Sequence, residues 1–223
     1  RRGEVVGLAG LIGSGREALM ETIYGLGRAR EGRLRLNGEP ARIASPDDAI
    51  RQGVVMAPRD RRHAGLILDM SVADNVNLAS LEDVAFGPFV DRRAAARRAQ
   101  ALAERLDIRP RQVATLARNL SGGNQQRLVA RREMRIASKA LVAAYPSRGL
   151  DVGAIDTMMN YLVELRDSGV GVVLISEELE ELMNLSDRIA VMFHGAVVGV
   201  VDAASARIEE IGLMMGGQRA GAA

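Results

Sequence analysis

The chain has 223 residues, enough to bury a hydrophobic core in one large domain or two small ones. Apolar residues make up 48% and charged residues 26%; 30 basic against 28 acidic side chains leave a formal charge of +2, too small a surplus for the broad cationic face of sequence-independent nucleic-acid binding. The absence of cysteine excludes disulfide frameworks, zinc ribbons and thiol nucleophiles, and no run approaches the ~20 apolar residues of a membrane span.

The chain opens Arg1-Arg2-Gly3-Glu4 with no secretory signal, and the missing initiator Met reads as a fragment of a longer cytoplasmic protein. Val5 to Ala9 is a short apolar run stopping at Gly10, a buried strand by length and boundary. A glycine-rich turn follows, then a helical stretch from about Gly15 to Tyr24. Asn37-Gly38, between Leu34, Leu36 and the Arg42-Ile43 segment, predicts a β-hairpin. This hairpin, residues 33–43, is expected to form an antiparallel edge together with the N-terminal strand. Ser45-Pro46-Asp47-Asp48 is a helix start, with Ser as cap, Pro in first position and acids in the first turn. Val54 to Ala57 is another strand, closed by Pro58. From 69 to 120, Ala, Arg and Leu recur at helical spacing, as in Ala94-Ala95-Ala96-Arg97-Arg98-Ala99, and no strand-like run is seen. Strands resume at 140–144, 172–175, 188–193 and 197–201. Alternation of this kind predicts an α/β fold with a mostly parallel sheet, interrupted by a helical insertion. The divisions read as 1–68 for the first part of the core, 69–120 for the helical subdomain, 121–216 for the rest, and 217–223 for a frayed tail.

Two segments carry chemistry. Gly10-Leu11-Ile12-Gly13-Ser14-Gly15-Arg16-Glu17 sits after a buried strand and opens a helix, with the glycine spacing of a phosphate-binding loop. Glycines let backbone N–H groups turn inward around a phosphate at the positive end of a helix. The usual Lys is Arg16 and the usual Ser/Thr magnesium ligand is Glu17, so by itself the loop reads equally as a Gly-rich turn with no ligand. The second segment is Leu120-Ser121-Gly122-Gly123-Asn124-Gln125-Gln126. Ser121 can cap the following helix, and the glycines let its first turn approach a phosphate closely.

In this order the two segments resemble the phosphate loop and signature motif of ATP-binding cassette (ABC) ATPases, over almost the whole chain. Asp60-Arg61 and Arg148-Gly149-Leu150-Asp151-Val152-Gly153-Ala154 narrow the likeness to the C-terminal cassette of tandem ATPase subunits in bacterial importers of simple sugars and nucleosides. The resemblance implies a P-loop NTPase (RecA-like) core with an antiparallel β edge and an inserted helical lobe. It implies ATP and Mg²⁺ as cofactors, with Gly10, Gly13, Ser14, Gly15, Arg16 and Glu17 at the nucleotide, Ser121, Gly122, Gly123, Asn124 and Gln125 as a signature acting on a partner's site, and Gly149, Leu150 and Asp151 as D-loop. Implied partners are the N-terminal cassette of the same polypeptide, membrane permease subunits and, indirectly, a periplasmic or lipoprotein substrate-binding protein, with no nucleic acid. The implied location is peripheral, on the cytoplasmic face of the inner membrane.

The departures from the family pattern are specific. Ala144 and Tyr145 stand where an Asp orders magnesium and a Glu activates water, and a phenol titrating near ~10 is no base at neutral pH. Glu177 stands where a switch His is expected, and Ala57-Pro58-Arg59-Asp60 lacks the usual Gln. No catalytic residue is therefore expected in this domain's own site. Glu17 either ligates magnesium or occupies the helix N-terminus in place of phosphate, and the adenine-stacking aromatic of such cassettes lies upstream of this chain. The expectation is weak or absent nucleotide binding and little or no hydrolysis by the isolated domain, with ATP hydrolysis belonging to the full-length subunit. The Ala144-Tyr145 pair is closer to the nucleoside-uptake branch than to the ribose or galactose branch. A soluble ABC-type ATPase of repair or translation is the alternative, disfavoured by the compact insertion of mixed charge; a small P-loop kinase would need the loop Lys.

His63 and His194 read as surface histidines without ligand partners, Met158-Met159, Met183 and Met214-Met215 as packing, and Arg92-Arg93 and Arg97-Arg98 as a solvated helix face. Leu66, Ile67, Leu68 and Met70 form an apolar run that either packs in the lobe or docks a permease.

Overall fold

A computed structural model of the chain describes residues 1–105 and 108–218. The elements in order are β1 (Val5–Ala9), α1 (Arg16–Tyr24), β2 (Leu34–Leu36), β3 (Glu39–Ala41), α2 (Pro46–Arg51), β4 (Val54–Ala57), α3 (Val72–Asn77), β5 (Ala85–Phe86), β6 (Phe89–Val90), α4 (Arg92–Arg105), α5 (Gly122–Ile136), β7 (Ala140–Ala144), α6 (Val152–Asp167), β8 (Gly171–Ile175), α7 (Leu179–Leu185), β9 (Arg188–Phe193), β10 (Ala196–Asp202) and α8 (Ile208–Met215). The frayed end expected after residue 217 lies, from 219 on, outside the described residues. Two compact units are present: Arg1–Met56 with Ala137–Tyr145 and the chain from Met159 onward, and Ala57–Ile136 with Pro146–Met158.

The first unit is built on a six-stranded sheet in the order β10-β9-β1-β8-β7-β4. β1 runs parallel to β8 and β9, and β7 parallel to β8, so Val5 faces Val172 and Ala144 faces Ile175. Buried on both sides, these strands read as continuous apolar runs with no alternation. β10 folds back antiparallel on β9 and closes the edge. Leu8, Met20, Val142, Ala144, Tyr145, Ile175 and Ala190 form a buried cluster at the centre of the unit.

The hairpin forms where expected, with Asn37 and Gly38 at φ 53° and 86°, the paired positive values of a type I′ turn. Its place differs from the expectation. β2 and β3 make a separate two-stranded sheet, while β1 lies inside the main sheet between β9 and β8. The antiparallel edge of the main sheet is β10. Parallel pairing on both flanks suits β1 because all its residues but Val6 are buried. Ser45 caps α2 by accepting from the Asp48 N–H at 3.1 Å, behind Pro46.

The second unit is helical, with one strand pair the sequence reading did not expect: β5 and β6 form a small hairpin around Gly87-Pro88. Ser71 and Asp74 make a reciprocal capping box on α3. Asn75 is fully buried and satisfied; Oδ1 accepts from the Ile67 N–H at 2.9 Å, and Nδ2 donates to the carbonyls of Ile67 and Ser71 at 2.9 and 3.0 Å.

Candidate functional site

In the first unit, β1 ends at Ala9 and the chain turns through the glycine-rich loop into α1. At Gly10 a Cβ would fall 2.5 Å from Ser14 Oγ and 2.7 Å from the Met192 carbonyl, so no other residue fits the turn. Gly13 and Gly15 take φ of 82° and 100°, the left-handed region that glycine enters without penalty. Gly15 caps α1 with no side-chain hydrogen bond, which leaves the first-turn N–H groups aimed out of the helix as an anion site would require.

The side chains at that end are engaged with one another. Arg16 is buried; its Nη1 donates to the Ser176 carbonyl at 3.0 Å, Nη2 stands 3.8 Å from Glu17 Oε1, and its Cζ lies 5.8 Å from the Tyr145 ring centroid. The buried Tyr145 hydroxyl donates to Glu17 Oε1. Ala144, also buried, precedes Tyr145 at the end of β7, and Glu177 lies exposed one residue after Ser176. The structure thus brings Arg16, Glu17, Ala144 and Tyr145 together at the carboxyl end of the parallel strands. At the first turn of α1, position 17 thus offers a carboxylate already bonded to a phenol, where a magnesium-binding loop would offer a free hydroxyl.

In the second unit, Ser121 precedes α5 and its hydroxyl accepts from Asn124, from the backbone N–H at 3.3 Å and from Nδ2 at 2.9 Å. Ser121 is exposed, whereas Gln125 and Gln126 are buried, with Gln125 Nε2 donating to the Ala117 carbonyl at 3.0 Å and Gln126 Nε2 to the Pro146 carbonyl at 3.2 Å. The Gly149-Leu150-Asp151 turn lies beside this helix start: a Cβ on Gly123 would stand 3.6 Å from Asp151 Oδ2. Gly149 is at φ 68°, and Asp151 caps α6 by accepting from the Ala154 N–H at 2.9 Å. The 59–62 and 148–149 segments line a cleft of about 550 Å³ with Arg59, Asp60, Arg62, Arg148 and Gly149.

Sequence reasoning missed three contacts. His63 has a partner after all: its Nδ1 lies 2.7 Å from Asp60 Oδ2, and this bond holds the Asp60 carboxyl below its usual range. The Ser176 carbonyl, which anchors Arg16, left no mark in the side-chain pattern. The Tyr145–Glu17 bond joins residues 128 positions apart, beyond any local signal.

Comparison with known proteins follows the same lines. A model of the family described as ABC transporter matches residues 1–143. The chain is 36% identical over 219 residues to a ribose import ATP-binding protein from Lactococcus lactis, covering 98% of this chain and 44% of that protein. It is 39% identical over 219 residues to a guanosine import ATP-binding protein from Bacillus subtilis, covering 97% of this chain and 43% of that protein. The chain therefore spans less than half the length of the curated relatives it matches. Among solved structures, a dimeric ATP-binding cassette in a post-hydrolysis state with ADP and Pi superposes with a TM-score of 0.75 at 22% identity, over 92% of this chain and 88% of that one. At that identity the likeness establishes the fold, a mixed α/β P-loop cassette with a parallel sheet.

Proposed function

This chain belongs to the ABC transporter family, and from that premise we propose that it is the C-terminal ATP-binding cassette of a tandem-cassette subunit in a bacterial importer of a simple sugar or nucleoside. Its own nucleotide site is degenerate, and its signature serves the competent site of the N-terminal cassette in the same polypeptide. The subunit works beneath a permease pair, fed indirectly by a substrate-binding protein, and lies peripherally at the cytoplasmic face of the inner membrane. The import names of its relatives support the transport role. No helix among the described residues is long and apolar enough to cross a membrane.

The observation that carries the reading is the Ser121 hydroxyl. A serine oxygen has two lone pairs and one hydrogen, and Asn124 fills both lone pairs. What remains is a donor, exposed at the N-terminal end of α5 beside the Gly122 and Gly123 amides, the chemistry that an anionic phosphoryl group needs. With ATP held by the partner cassette, these groups position the γ-phosphate and stabilise the charge that develops on it. Ile12 in the phosphate loop and Val152 after the Asp151 turn are 85% and 78% exposed, and each suits cover by another cassette.

In the full-length subunit assembled with its permeases, Ser121→Arg abolishes ATP hydrolysis and uptake by blocking closure, whereas Arg16→Ala costs far less. Equal loss from both, or hydrolysis by the isolated chain, overturns the assignment.

A further inference from the structure

We infer that Tyr145 and Glu17 plug the phosphate loop of this cassette, so that Tyr145 is the residue that excludes nucleotide from the chain's own site. The inference rests on the reading of that site as degenerate and names the physical cause.

In sheets of parallel strands, ligands sit in the crevice beyond the carboxyl ends of the strands. Met20 of α1 packs in one cluster with Val142 and Ala144 of β7, so a side chain leaving the end of β7 can reach the start of α1. Tyr145 does so. It follows Ala144 directly, only 3% of its surface is exposed, and its hydroxyl is bonded to Glu17 in the first turn of α1. Arg16 lies over the ring and is itself fixed by the Ser176 carbonyl at the end of β8. Guanidinium, carboxylate and phenol therefore serve one another. The Glu17 carboxylate supplies, at the positive end of α1, the negative charge that a bound anion would otherwise bring.

The backbone carries the same signature of constraint. Tyr145 is at φ 51°, a left-handed conformation that a bulky residue adopts only when its surroundings impose it. Its N–H donates to the Ile175 carbonyl at 2.7 Å, which ties its backbone to the end of β8. An incoming polyphosphate must displace the phenol and then meet a carboxylate of its own sign.

The test uses the purified chain with Mg-ADP as the probe. Tyr145→Gly relieves the left-handed backbone while removing the ring, and Glu17→Ser removes the charge. By calorimetry the double variant gains at least tenfold in affinity over the unsubstituted chain. An unsubstituted chain that binds Mg-ADP as tightly as the variant overturns the inference, and so does a folded variant with no gain. If the variant fails to fold, the unsubstituted chain decides: an unchanged melting midpoint in millimolar Mg-ADP supports the plug, and a rise of several degrees overturns it. Tight Mg-ADP binding by a chain that leaves Mg-ATP unhydrolysed sinks the plug alone, whereas hydrolysis of Mg-ATP by the chain sinks the proposed function.

Discussion

Asn124 ties the head of α5 to the chain before it, its Oδ1 accepting from the Arg109 N–H at 3.1 Å while its Nδ2 donates to Ser121. The two ends of one amide thus fix the direction of the Ser121 hydroxyl. Asn124→Asp keeps the acceptor for Arg109 but loses the side-chain donor to Ser121; Asn124→Ala loses both. Each substitution should cost only about 1 kcal/mol of stability, the net worth of the bonds removed. ATP hydrolysis by the full-length subunit should fall at least tenfold in both, with KM for ATP changing less than kcat. Hydrolysis that tracks only the small stability loss would reduce Asn124 to a structural role.

A second prediction concerns pH. Arg188 Nε donates to Glu4 Oε1 at 2.6 Å, and this bond lowers the Glu4 carboxyl to about 2 against the opposing effect of burial. A carboxyl depressed in the folded state contributes stability above its unfolded value of 4.5, and that contribution is lost as pH falls toward 2. With Arg188 half-exposed and screened by solvent, the contribution is of order 1–2 kcal/mol. Chemical unfolding of Arg188→Gln should show that deficit at pH 6 and a shrinking one between pH 4.5 and pH 2. A deficit independent of pH would mean that Arg188 acts through packing.

Legibility in the sequence followed the range of the interaction. Asn37-Gly38 and Ser45-Pro46 announce a turn and a cap because each is decided within four residues. Ser121 was legible for the same reason, its cap and its clasp both lying within the next three residues. The sheet order was not, because β1 pairs with strands more than 160 positions away and an apolar run does not name its neighbours. β5 and β6, two residues each, are too short for any period, though Gly87-Pro88 marked their turn. At Tyr145 the substitution itself was readable, and its consequence was not. The bond to Glu17 depends on how the end of β7 faces α1, which no local pattern encodes.

The last prediction separates packing from docking in the segment after the π-helical turn at Arg61–Gly65. Leu66 is 6% exposed and belongs to the core of the second unit, so the apolar run does not act as one surface. Ile67 and Met70 are 42% and 37% exposed. They are presented on a rigid loop: Asn75 bonds both the N–H and carbonyl of Ile67, and the carbonyls of Leu68 and Met70 accept from the Arg118 and Ala117 N–H groups at 3.0 and 2.9 Å. Leu66→Asp buries a charge and should cost about 3 kcal/mol or more, a loss read directly in the melting transition. Ile67→Asp and Met70→Asp point outward and should stay within about 0.5 kcal/mol of the parent. If this loop docks the permease, the two outward variants of the full-length subunit stay folded but no longer co-purify with membranes. Normal membrane co-purification of Ile67→Asp and Met70→Asp would remove the loop from the coupling surface, leaving Asn75 as an anchor of the lobe alone.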